Sequence, residues 1–252
     1  MSVGGDFIPT VYLSPSTQEF NPYSGGGNEE QYMNLVADAM IPYLNASGIG
    51  YVRNTPDMTA ASSIAQSNMG NYDFHLALHS NASGTPGGNV RGAEFYYYPG
   101  SYNGMRAAEI FANNFKTIYP LPDRVRTVAT TTLGEVRRTK APAVLAEVAY
   151  HDNAEDAEWI RNNIDNMAAN LTLSLTDYFG IPFNVPSVGS KTVTVRTYMG
   201  SNLNIRQQPN INGRIIGSIP NGSQILSYYE TGNWSLIRYG DIIGYVNNNY
   251  II

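Results

Sequence analysis

The stretch Ala143-Val144-Leu145-Ala146-Glu147-Val148-Ala149-Tyr150 decides the fold. It is an apolar run of strand length, broken by a single carboxylate, and it reads as a buried strand. Upstream, Phe74 to Leu78 and Ala93 to Tyr98 also read as strands, as does Thr10-Val11-Tyr12-Leu13. Helical patterns separate them. Asn28 can cap a helix running to about Asn45, with Glu29 and Glu30 in its acidic first turn. Met33, Val36, Met40 and Leu44 recur at three- and four-residue spacing, as a buried helical stripe does. Pro42 should kink or interrupt this helix, and Gly48 should end it. Further helices fit Met58 to Met69, Gly104 to Ile118, Asn153 to Asn163 and Ile164 to Tyr178. Strands alternating with helices argue for an α/β fold: a mostly parallel, twisted sheet flanked by helices.

The pattern changes after Gly180. Residues 181–191, beginning Ile181-Pro182-Phe183-Asn184-Val185-Pro186, are rich in Pro, Gly and Ser and read as a linker between domains 1–180 and 192–252. Beyond it, strand candidates are short: Thr194 to Tyr198, Gly213 to Ile219, Gln224 to Glu230, Trp234 to Tyr239 and Ile242 to Val246. Asn212-Gly213 and Asn221-Gly222 are turn signals. The tail reads as a small all-β barrel.

Composition narrows the chemistry. The 252 residues are 42% hydrophobic and 14% charged, enough to bury a sizeable core. With no cysteine, disulfides, thiolate metal sites and cysteine nucleophiles are excluded, so any metal must be held by His, carboxylate or amide groups. The formal charge is −5, split as +2 from Thr192 onward and −7 before it, without the basic stripe of a nucleic-acid binder. No stretch approaches the roughly 20 apolar residues of a membrane helix. Met1-Ser2-Val3-Gly4-Gly5-Asp6 lacks the basic run and apolar core of a secretory signal.

Only three histidines occur, His75, His79 and His151. On a strand, His75 and His79 stand roughly 13 Å apart, too far to share one ion, so one of them is structural. His79 lies at the strand's carboxyl end, where parallel α/β sheets form their sites, and is the functional candidate. Glu147 is the second oddity. A carboxylate on an apolar strand is costly unless it is paired or lines a cleft. Partial desolvation would raise its pKa toward a value useful in proton transfer. The bland alternative is a salt bridge to Arg137 or Arg138. Glu30 taken alone serves the helix dipole, and nothing singles out Glu94 or Glu135. The run Gly25-Gly26-Gly27 lacks the Lys and Ser/Thr of a phosphate-binding loop.

These residues line up with a known family. The segment to about Gly180 resembles the zinc-dependent N-acetylmuramoyl-L-alanine amidases of the amidase-3 type. Glu30 precedes Asn34-Leu35 as that family's helix-opening Glu precedes Asn-Leu. Ala77-Leu78-His79-Ser80-Asn81-Ala82 is similar to its Ser-x-His-x-Asn-Ala. Pro142-Ala143-Val144-Leu145-Ala146-Glu147, followed by Tyr150 and Asn153, is similar to its Pro-Ala-Val-Leu-x-Glu block. The resemblance implies that Glu30 and His79 hold zinc, that Glu147 activates the attacking water, and that the substrate is the amide joining N-acetylmuramic acid to L-alanine in bacterial peptidoglycan.

One position departs from the pattern. Where the family carries a ligand His in Asp-Pro-Gly-His-Gly, this chain reads Ser14-Pro15-Ser16-Thr17-Gln18-Glu19. Gln18, whose amide oxygen is a weaker donor than imidazole, is the first candidate for the third ligand; His151 and Glu19 follow. The variant motif resembles a branch seen among clostridial and phage lysins. The tail, with Asn202-Leu203-Asn204-Ile205-Arg206-Gln207-Gln208-Pro209, resembles a bacterial SH3 domain, which implies wall binding through Tyr228, Tyr229, Trp234 and Tyr245; barrel core is the alternative for Trp234 and Tyr245. The expectation is a wall-lytic amidase of endolysin type, made in the cytoplasm (the host's, if phage-encoded) and acting at the cell wall, with no nucleic-acid or membrane partner. The alternative is a catalytically impaired wall-binding protein on the same fold.

Overall fold

The computed structural model describes residues 8–85, 87–186, 191–206, 209, 211–231, 233–240 and 242–252. Residues 1–6, linker residues 187–190 and Gln207 and Gln208 of the tail motif lie outside them, as does the side chain of Tyr229. The chain divides into two compact units, Met1–Val185 and Pro186–Ile252.

In the first unit, six strands form one sheet in the order β2-β1-β3-β6-β4-β5. They are β1 (Thr10–Pro15), β2 (Gly50–Arg53), β3 (Phe74–Asn81), β4 (Ala93–Tyr97), β5 (Val125–Ala129) and β6 (Ala143–Tyr150). Every adjacent pair is parallel except β6 with β4. The decisive apolar run is β6, in the middle of the sheet. The edge strands β2 and β5, short and partly exposed, carry too little apolar pattern to announce themselves.

Helices α1 (Glu29–Ala46), α3 (Tyr102–Phe115) and α6 (Ile164–Phe179) pack together over one face. There Phe74 stacks on Phe111 at 6.0 Å and meets Tyr178 at 4.9 Å, and Phe95 meets Phe115 edge-on at 5.3 Å. Asn28 caps α1 through its side chain, which accepts from the Gln31 amide at 2.8 Å. Pro42 does not interrupt α1, which continues through it. Met33, Val36, Met40 and Leu44 are all fully buried, and this packing outweighs the proline's propensity cost.

The opposite face carries Ala77, Ala143 and Leu145 in a small cluster with Val136 of the four-residue helix α4 (Gly134–Arg137). Helix α2 (Ala60–Met69) contacts α4, and α5 (Ala154–Asn162) follows β6. Side chains alternate along a strand, so His75 and His79 share the Ala77 face of β3. Among the described residues no helix is long and apolar enough to cross a membrane.

The second unit is an antiparallel sheet ordered β7-β10-β11-β12-β8-β9. Its strands are β7 (Lys191–Thr194), β8 (Leu203–Arg206), β9 (Ile215–Ile219), β10 (Gln224–Thr231), β11 (Trp234–Tyr239) and β12 (Ile242–Asn247). The first lies earlier than the Thr194-to-Tyr198 expectation because the chain turns at Tyr198–Gly200. Val193, Val195, Leu203, Ile205, Ile219, Ile225, Ile237 and Val246 form the core. Gly222 holds a left-handed turn residue, φ 85°, between β9 and β10.

Candidate active site

Register brings three ionisable side chains into one row across the sheet. His79 of β3 pairs with Glu147 of β6, and Glu147 pairs with Glu94 of β4. Cross-strand partners point to the same face, so the three side chains lie side by side at the end of the sheet where β3 runs out.

His79 is the hub. Its Nδ1 lies 2.8 Å from Glu29 Oε1 and its Nε2 lies 3.0 Å from Glu135 Oε2. Burial alone would disfavour its charged form, but the two carboxylates outweigh burial and hold its pKa well above the usual value. The same pairing acts on the partners. Burial pushes Glu135 up, yet His75 and His79 bring it well below the normal carboxylate range. Glu29 is lowered likewise, chiefly by His79 working against burial.

Glu147 differs. Its Oε2 is buried without a hydrogen-bond partner, and no ion pair to Arg137 or Arg138 forms; Arg137 instead donates to the Thr131 carbonyl. Burial and then Glu29, Glu94 and Glu135, opposed by His79, push its carboxyl up to about 8. Glu94 is fully engaged: Arg126 Nε donates to it at 2.8 Å, Asn81 at 3.1 Å, and the Tyr96 hydroxyl also donates.

The carboxylate of Glu29, next to Glu30 in the helix-opening turn, reaches His79. Neighbouring helical residues point about 100° apart, and the turn closed by the Pro22–Asn28 bridge aims the first of them at β3. Glu30 is buried beside it, and its backbone carbonyl accepts from Asn34 Nδ2 at 2.7 Å. The three glycines before the helix all adopt positive φ, 80° to 105°, so their role is the turn itself.

Of the three candidates for a third ligand, only Gln18 lies at the hub. Its Nε2 is 3.4 Å from His79 Nδ1, and its Oε1 accepts from Asn21 Nδ2 at 3.2 Å. Glu19 is exposed. His151 is buried elsewhere: its ring stacks on Tyr23 at 5.2 Å and its Nδ1 lies 2.7 Å from the Ser80 carbonyl. Among the described residues no three His, Asp or Glu side chains converge as a metal-ligating set. A site here needs the amide.

In the second unit, Tyr245 is buried to 2% exposure and pairs with Leu236 across β12 and β11, on the face opposite the Ile237 and Val246 core. Tyr228 and Trp234 are partly exposed.

Sequence reasoning left Glu135 aside and did not use Glu29. Glu135 sits on a helix of one turn with no periodic signal, and Glu29 was hidden by the equally placed Glu30. No motif marks the approach of either to His79, which is purely tertiary.

Comparison with known proteins now bears on this geometry. Residues 17–177 match the family profile described as N-acetylmuramoyl-L-alanine amidase, and residues 201–252 match that of the bacterial SH3 domain. No curated protein matches the sequence. Solved structures share the fold. The N-acetylmuramoyl-L-alanine amidase AmiC2 of Nostoc punctiforme is 19% identical with a TM-score of 0.62, over 70% of this chain and 99% of that one. An N-acetylmuramoyl-L-alanine amidase from Clostridium difficile 630 is 14% identical with a TM-score of 0.61, over 69% and 97%. The catalytic domain of an endolysin targeting Clostridia difficile is 18% identical with a TM-score of 0.56, over 67% and 97%. The matched profile spans more than half of the sequence, and the chain belongs to the amidase-3 family of N-acetylmuramoyl-L-alanine amidases, with a bacterial SH3 domain behind it.

Proposed function

We propose that the first unit hydrolyses the amide between N-acetylmuramic acid and L-alanine in bacterial peptidoglycan at a zinc centre held by His79 Nδ1, Glu29 and Gln18. The observation that carries this reading is the convergence of Glu29 and Gln18 on one nitrogen of His79, beside the unpartnered carboxyl of Glu147. The donor set fits zinc: an imidazole nitrogen, a carboxylate and an amide would hold it, three protein ligands as catalytic zinc sites use. Rotation of the Gln18 amide presents its oxygen in place of the nitrogen. Two carboxylates, Glu29 and Glu135, face His79, while Arg126 pairs with Glu94.

The chemistry a bound zinc supplies is polarisation of the scissile carbonyl and of the attacking water. Glu147 performs the proton transfers. Its Oε2, raised toward neutrality by burial, takes the proton of the attacking water and passes it to the departing L-alanine nitrogen. The β3–β6–β4 row holds that carboxyl beside His79, so the transfer needs no rearrangement of the sheet.

The second unit tethers the enzyme to its insoluble substrate, raising effective concentration. The partly exposed Tyr228 and Trp234 can contact wall glycan or peptide, while Tyr245 is buried. The site of action is the cell wall. The test is end-group analysis of digested Gram-positive walls. New L-alanine amino groups are expected, and new reducing sugar ends in their place would sink the assignment.

A further inference from the structure

One carboxylate is wedged between both histidines of β3. Glu135 Oε2 takes His79 Nε2 at 3.0 Å, and its Oε1 accepts from the Ser14 hydroxyl and stands 3.4 Å from His75 Nε2. These partners are themselves anchored. Ser14 Oγ lies 2.6 Å from Ser63 Oγ, and His75 Nδ1 lies 2.9 Å from Ser67 Oγ. Glu135 is thus fixed by groups on β1 and β3, which are in turn fixed by α2, and it is only 5% exposed.

We propose that Glu135 is a positioning residue for the metal centre: it locks the His79 ring through Nε2 and thereby turns Nδ1 toward Gln18 and Glu29. The proposal rests on the zinc reading above. An imidazole at a strand end can rotate about its side-chain bonds and offer either nitrogen. A buried carboxylate on Nε2 removes that choice, because rotating the ring would leave Glu135 Oε2 without its partner in the interior. Glu135 cannot itself ligate an ion bound at Nδ1, since it meets the opposite edge of the ring. A carboxylate on the far nitrogen also makes the histidine a stronger donor, and loss of such a contact typically weakens metal affinity about 10–100-fold. The arrangement answers the question raised by the two histidines four residues apart: too distant to share an ion, they share the carboxylate that aims one of them.

The test uses the full chain with Glu135→Gln, which keeps the shape and an acceptor oxygen, and Glu135→Leu, which keeps neither acceptor nor charge. Zinc affinity is measured by chelator competition. The nitrogen spectrum of His79 is recorded with zinc bound; it is assignable because the chain has three histidines. Wild type should show Nδ1 metallated and Nε2 protonated. Zinc affinity should fall about 10-fold in Glu135→Gln and toward 100-fold in Glu135→Leu, with mixed metallation of the two nitrogens in the latter. If Glu135→Leu fails to fold, Glu135→Gln carries the test. Wild-type affinity and an unchanged His79 spectrum in the folded variants would overturn the positioning role, even if their thermal stability drops. A wild-type chain that binds no zinc would instead overturn the metal centre.

Discussion

Glu147→Gln separates two properties that this fold places in opposition. The carboxyl is pushed up from 4.5 to about 8, first by burial and then by Glu29, Glu94 and Glu135, with His79 opposing. Its folded pKa therefore lies above its unfolded one. Below about pH 4.5 both states hold the proton and there is no penalty. Between about pH 4.5 and 8 only the folded state holds it, so stability falls as pH rises; above about pH 8 the penalty is constant. At about 1.4 kcal/mol per unit, the shift corresponds to about 5 kcal/mol. Part of the residue stays accessible, and solvent screening lowers the expected figure to about 2–4 kcal/mol.

The isosteric amide removes the ionisation. In chelator-treated protein, Glu147→Gln should unfold in urea with the wild-type midpoint near pH 4, and with about 2–4 kcal/mol more stability near pH 9. Far-UV ellipticity is a suitable probe, because among the described residues every α-helix belongs to the first unit. The same substitution should cut wall lysis by about 100- to 10,000-fold, the usual worth of a general acid–base group. A variant no more stable than wild type near pH 9 would refute the burial argument. Full lytic activity would refute the proposed base.

Glu29→Gln should lose zinc in equilibrium dialysis while Glu30→Gln retains it; the reverse result would return the ligand role to Glu30. Metal-free His79→Ala should lose about 3–5 kcal/mol in urea unfolding, because Glu29 and Glu135 are left buried without a cation. Phe111→Ala, which empties the stack between Phe74 and Phe95, should cost about 3–5 kcal/mol with zinc affinity unchanged. Deleting residues 187–252 should weaken sedimentation with intact walls far more than turnover of soluble wall fragments.

The central strands and long helices were legible because burial writes itself into local pattern. β3 and β6 are buried, largely apolar runs, and α1 repeats Met33, Val36, Met40 and Leu44 along one stripe. Edge strands escaped for the converse reason. β2 and β5 bury little, so selection for apolar residues along them is weak. Pro42 does not end α1 because a propensity rule concerns an isolated helix, whereas this one is held by its packed face.

The site divides along the same line. His79 and Glu147 were readable because each breaks a buried strand's pattern, and a polar group there must have a partner or a task. Glu29 was not, because an acidic first turn suits any helix and the choice between adjacent glutamates depends on an angle that only the folded turn sets. Glu135 was the least readable, since its helix of one turn has no period and its partners lie 56 and 121 residues away in sequence. The functional oddities of β3 and β6 thus mark where the chemistry sits, while the group that orients it is contributed by an element with no signature of its own. In a site built this way, a search for isolated polar residues in apolar strands finds the hub, and the ring nitrogens of that hub then point to the remaining members.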